Sequence, residues 1–224
     1  MVLAQGPRST GKPTALDRPT ILAAAIRLVD EVGMAGLNMR ALAQALGVGT
    51  MSLYHYVPNK DALLDGIVET LQAEIEIPPV DSGTWDERAY RMARSLRAVA
   101  LRHPNCVPLL VTRPFATPAA LRPCEAAFAI LAEAGLNDEE EALIAFRTIV
   151  AYVLGFVMVE SAGFFGGLGP EPDVDQLVAL GMPHLAGMAP HLLNRDVGAD
   201  FDAGLRLVVQ GAVAGLAPTV TPLA

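Results

Sequence analysis

Nine residues between positions 40 and 60 carry the groups needed to grip a nucleic acid: Arg40, Gly49, Thr50, Met51, Ser52, Tyr54, His55, Tyr56 and Lys60. An Arg guanidinium can fork onto a base edge, and a Lys ammonium neutralises a phosphate. Tyr and His side chains reach phosphate oxygens. Gly49, Thr50, Met51 and Ser52 are small or slender, so their backbone N–H groups can approach phosphates or base edges. A second set lies further along the chain. Met92, Leu109, Phe115, Phe128, Val150, Leu154 and Met158 are apolar, with Thr112 and Arg147 as polar companions. Such residues suit an apolar cavity with a few polar anchors. They suit a packed core equally, and residue by residue core is the favoured reading.

The first set needs two short helices to hold it. Asn38 caps one through its side-chain oxygen, and Leu42, Ala43 and Leu46 share its buried face. Gly47 stands where a sharp turn calls for positive φ. Val48 and Leu53 anchor a second helix of barely two turns. This is a helix-turn-helix pattern, whose second helix lies in the DNA major groove.

Over residues 17–74 the chain resembles the TetR family of bacterial transcription regulators, above all in the runs at 39–48 and 53–64. The resemblance implies that Arg40 reads a guanine, that Thr50, Met51 and Ser52 face bases, and that Tyr54, His55, Tyr56 and Lys60 hold the backbone. Pro58 stands where the family commonly has Lys, which removes one phosphate contact. Further on, Thr112-Arg113-Pro114 and Val153-Leu154-Gly155 resemble the tetracycline-repressor subgroup. There a His helps hold a drug-bound magnesium; here its place is taken by Leu109. A more apolar, metal-free ligand is implied.

Charge is divided in the sense a DNA reader requires. Residues 1–60 hold six basic and three acidic side chains, the rest ten basic and 21 acidic, within a net charge of −8. A weakly basic end on an acidic body meets phosphate with modest non-specific affinity.

The expected order is a flexible tail (1–16), a DNA-binding head (17–76) and a larger helical body (84–217). Asp17 caps the first helix, and Gly33 and Gly36 end it; Asn59 caps a fourth helix reaching about residue 75. Pro78, Pro79 and Gly83 mark the boundary. A helix over 85–102 turns Met92, Leu96, Val99 and Ala100 inward and Arg88, Arg91 and Arg94 outward. The helix over 118–133 has Leu121, Phe128 and Leu131 as core candidates. Asn137 and Glu140 form a capping box for the longest helix, expected over 138–165. That helix is apolar nearly all round from 148 to 159, short of the roughly 20 residues a membrane span needs. It must be covered on every face, and a second copy of the chain is the natural cover. Ala151 and Gly155 permit close approach. Arg147 either pairs with an acidic group or faces a ligand, with pairing favoured. A loop at 163–172 and two weak helices precede a last helix over 199–216.

No nucleophile elbow, HExxH or phosphate-binding glycine pattern is present, and the four histidines are scattered. Cys106 and Cys124 lack metal or redox spacing and read as small hydrophobes. The N-terminus has no continuous apolar segment, so the expectation is cytoplasmic. The whole reads as an all-α, cofactor-free homodimer. Its three-helix head reads double-stranded DNA, and its body binds a small-molecule effector and builds an intersubunit four-helix bundle. The alternative is a helical binding protein or enzyme with a vestigial head.

Overall fold

The structure is a computed structural model that describes residues 16–113, 115, 117–164, 174–192 and 196–216. The expected tail and the loop at 163–172 fall almost wholly outside these residues. Among the described residues every regular element is helical. The order is α1 (Arg18–Gly36), α2 (Met39–Leu46), α3 (Thr50–Tyr54), α4 (Lys60–Ala73) and α5 (Trp85–Arg102). A short 3-10 turn (Pro104–Cys106) follows, then α6 (Val107–Thr112), α7 (Pro118–Glu133), α8 (Glu139–Ser161), α9 (Val174–Ala179), α10 (Pro183–Leu192) and α11 (Val197–Leu216).

The head is built from well-capped pieces. Asp17, Asn38 and Asn59 each accept a backbone N–H at the start of α1, α2 and α4, at 2.8, 2.9 and 2.8 Å. Each such cap stabilises its helix by about 1 kcal/mol. Ile21, Val29, Leu42, Leu53, Leu63 and Ile67 are fully buried between these helices. Gly66 lets α4 lie against α1, because a Cβ there would stand 2.5 Å from Leu22 Cδ2.

No apolar gap separates head from body. One continuous core runs from Ile21 and Leu71 through Val99, Cys106 and Leu110 to Leu154 and Val157. Polar contacts reinforce the junction. Arg113, at the end of α6, donates to Asp65 (2.8 Å) and Asp61 (3.3 Å) of α4. His103 Nδ1 lies 2.7 Å from Asp30, and Asn105 donates to the Asp30 carbonyl at 3.0 Å.

In the body α8 and α11 pack together around Phe201, Leu205 and Val209. Tyr152 stacks on Phe201 (5.6 Å) and donates to its carbonyl at 2.9 Å. Several expectations change here. Arg88 is buried, 2% exposed, and ion-paired with Glu133 of α7; the pairing across two helices overrides the outward tendency of a charge. Leu121 is 48% exposed rather than core. The cap of α8 is Asp138, which accepts from Glu140 and Glu141 N–H groups at 3.0 and 3.1 Å, one residue later than the expected capping box.

At 23 residues α8 is longer than its all-apolar stretch, and by length and composition it could cross a bilayer. Packing on α5, α7 and α11 occupies one side of it. The other side leaves Ile144, Ala151, Gly155, Met158 and Val159 exposed.

Candidate nucleic-acid interface and ligand cavity

The turn between α2 and α3 is made by Gly47 at φ 68°, ψ 27°. That left-handed conformation is open to glycine and strained for a β-branched or bulky residue. The Val48 N–H returns to the Ala43 carbonyl at 3.0 Å, closing α2. Leu53 and Val57 are 0% and 1% exposed and pin the C-terminal end of α3 and the chain just after it into the head. The pinning turns the remaining α3 residues outward. Gly49 begins α3 without any side-chain cap, so the first N–H groups of the helix are not taken up by a side chain.

All nine residues expected to meet DNA lie on or beside this α2–α3 unit. Arg40, Gly49, Met51, Tyr54, His55, Tyr56 and Lys60 are exposed, while Thr50 and Ser52 are half-buried. Met51 is 74% exposed, a large apolar side chain standing in solvent at the tip. No described residue forms an ion pair with Arg40 or Lys60, so both charges are free for an incoming polyanion. The acidic residues of the neighbouring α4 are not: Asp65 and Asp61 hold Arg113, and Glu69 holds Arg18 at 2.9 Å. The same two carboxylates push the Arg113 guanidinium further up from an already high value, through the Asp65 hydrogen bond first.

The second site is a cavity of about 840 Å³ of empty space, part of it open to solvent, enclosed by α4, α5, α6, α7 and α8. The closed part is about 120 Å³, the scale of a cavity that takes up a benzene-sized group. Met92, Phe115, Val150 and Leu154, all foreseen, line it. The other five foreseen residues do not. Leu109 is buried in the junction core, and the Thr112 hydroxyl donates to the Pro108 carbonyl at 2.7 Å. Phe128 packs on Phe146 at 4.8 Å. Met158 is 54% exposed. Arg147 is exposed too, with neither an acidic partner among the described residues nor a view of the cavity. The expectation of pairing assumed a buried helix face, and this face is turned to solvent.

Phe146, which with the other body aromatics and methionines suits an apolar cavity, lines it too; sequence reasoning missed Gln72, Cys124, Ile130 and Val153. Gln72 carried a usable signal: it falls on the stripe Leu64, Val68, Gln72, Ile75, where three of four members are apolar. Burial pushes the Cys124 thiol up from its usual range. Cys106, in the junction core, is pushed up to about 12 by burial and by Asp30. Among the described residues no cluster of three or more metal-ligating side chains occurs.

Two family models match the chain. Residues 21–67 match the family described as bacterial regulatory proteins, tetR family, and residues 77–215 match the tetracyclin repressor-like C-terminal domain. An HTH-type transcriptional regulator of Saccharopolyspora erythraea is 34% identical, over 93% of this chain and 90% of that one. The HTH-type transcriptional repressor DrrR1 of Streptomyces coeruleorubidus is 38% identical over 64% of this chain, which spans 53% of it. Among solved structures, the TetR family protein ActR of Streptomyces coelicolor in complex with actinorhodin superposes with a TM-score of 0.74. It is 29% identical, over 91% of this chain and 99% of that one.

Proposed function

The chain belongs to the TetR family of bacterial transcription regulators, and from that premise we propose that it is a homodimeric repressor, released from a palindromic operator by a small, mostly apolar ligand held in the body cavity. The observation that carries the reading is that the reading surface and the cavity share α4. Asn59 caps its first turn beside α3, and Gln72 on its last turn lines the cavity. A ligand that shifts the last turn of α4 shifts the whole head.

Two heads are needed to read a palindrome. The exposed apolar side of α8, continued by Leu207 of α11 at 76% exposure, is the surface a second copy covers. Small Ala151 and Gly155 bring the two α8 helices close, completing a four-helix bundle. The two α3 helices then enter major grooves about 34–36 Å apart. The ligand acts by binding more tightly to the form whose heads do not match that spacing. A tenfold loss of DNA affinity needs only about 1.4 kcal/mol of such coupling. The kinship to a protein bound to actinorhodin supports a small-molecule effector. We propose that it acts on that operator in the cytoplasm.

The test is selection of bound duplexes from a random library at fixed salt. A twofold-symmetric consensus is expected. Equal affinity for selected and scrambled duplexes overturns the reading.

A further inference from the structure

The cavity is almost wholly apolar, yet one amide is built into it. Gln72 is 5% exposed as a residue and lines the cavity, no described residue hydrogen-bonds its side chain, and its amide atoms are not among the fully enclosed unpartnered ones. A primary amide has two donors and an acceptor, and a ligand that displaces water from the cavity must match them or leave them unpaired at a cost. Its neighbours on the same stripe, Val68 and Ile75, are apolar and buried. Among the described lining residues none carries a charge.

We propose that Gln72 is the polar recognition group of the cavity, and that the effector is an electrically neutral, mostly hydrophobic molecule presenting one hydroxyl or carbonyl to this amide. The inference rests on the cavity being the ligand site. A carboxylate or ammonium entering the cavity would lose its hydration with no counter-charge among the described lining residues, so charged analogues are rejected. A hydrocarbon without a polar group would fill the volume but leave Gln72 unmatched, so it binds more weakly than its hydroxylated analogue. Cys124, the other lining residue with a polar hydrogen, is a weak donor and does not substitute for the amide. Placement on the last turn of α4 also gives the hydrogen bond a mechanical consequence, because the group that recognises the ligand rides on the helix that carries the head.

The experiment uses the full chain and two fluorescent probes of matched shape, 2-naphthol and 2-methylnaphthalene, with 2-naphthoate as the charged control. Wild type should prefer 2-naphthol over 2-methylnaphthalene by about two- to tenfold, the worth of one net hydrogen bond, and should not retain 2-naphthoate. Gln72→Leu and Gln72→Met should erase the preference while still binding 2-methylnaphthalene. Both should raise the midpoint of thermal unfolding, since an unmatched amide has been removed; a purely structural glutamine would lower it. If the preference survives in both variants, Gln72 is not the recognition group although the cavity stands. Tight retention of 2-naphthoate contradicts the neutral class. If wild type binds none of the probes, the cavity itself is not a ligand site, and this inference falls with that reading.

Discussion

Arg40 and Gln72 are both polar side chains without a described partner, and they stand in opposite surroundings. Arg40 is exposed on α2 beside other exposed polar groups, where water satisfies it until a polyanion replaces the water. Gln72 lines an apolar cavity and is the one amide among its described lining residues. The reading surface therefore gains by exchanging salt and water for phosphate, and its affinity is salt-dependent. The cavity gains by removing apolar surface from water, with a single hydrogen bond for selectivity. A regulator of this design keeps its two ligands chemically incapable of exchanging places, and α4 reaches both sites.

The largest effect should come from separating the two copies. Ala151→Asp places an unpaired carboxylate on the exposed apolar side of α8, and burying such a charge costs on the order of 3–5 kcal/mol. Light scattering should then fall from about twice 23.6 kDa to 23.6 kDa, and operator binding should collapse. Probe binding per chain should persist, because the described cavity lining comes from one chain. An unchanged dimer mass would place the interface elsewhere.

Next, Arg40→Ala should weaken the selected operator by about 1–3 kcal/mol and scrambled DNA much less, the signature of a base contact. Lys60→Ala should weaken both sequences alike and lower the salt slope by about one. Equal losses on both sequences for Arg40→Ala would move Arg40 to the phosphate backbone. Neither change should alter probe binding in the cavity.

Much of the head was legible because its determinants are local. Asn38, Gly47 and Asn59 act within four residues of themselves, and Leu42, Ala43 and Leu53 need only helical spacing to be assigned inward. The cavity was half legible, because its walls come from five helices whose facing depends on tertiary packing. Spacing alone sent Arg88 outward, but Glu133 on another helix holds it in. On α8, apolar nearly all round, no stripe distinguishes the face that meets α11 from the face that meets solvent. Val150 and Leu154 were therefore foreseen together with Arg147 and Met158, which share nearly the same stripe but are exposed at its edge and do not line the cavity. Gln72 was readable as a polar interruption of an apolar stripe, but a stripe does not reveal whether a cavity lies in front of it.

Smaller effects probe the helix that joins the regions. Asn59→Ala removes the cap of α4 and should lower stability by about 1 kcal/mol, read as a fall in the thermal midpoint. The smallest expected effect is a pH dependence. The Thr20 hydroxyl and N–H hold the Asp17 carboxyl below its ordinary value of 3.8. A depressed acid stabilises the folded state above its unfolded value, and that contribution disappears as pH falls through the folded one. Asp17→Asn keeps a capping oxygen that does not titrate, so the acid limb of the stability curve below pH 3.8 should flatten slightly. An unchanged acid limb would remove Asp17 from it.

The most direct test of the coupled design is the operator dissociation constant measured at rising 2-naphthol, for wild type and Val150→Trp in parallel. The substitution puts an indole into the cavity and leaves the reading surface untouched. Wild type should lose operator affinity as the probe saturates, with or without magnesium, while Val150→Trp should bind operator and show no response. Saturation of the wild-type cavity without any change in operator affinity, or an equal response from Val150→Trp, would contradict the account.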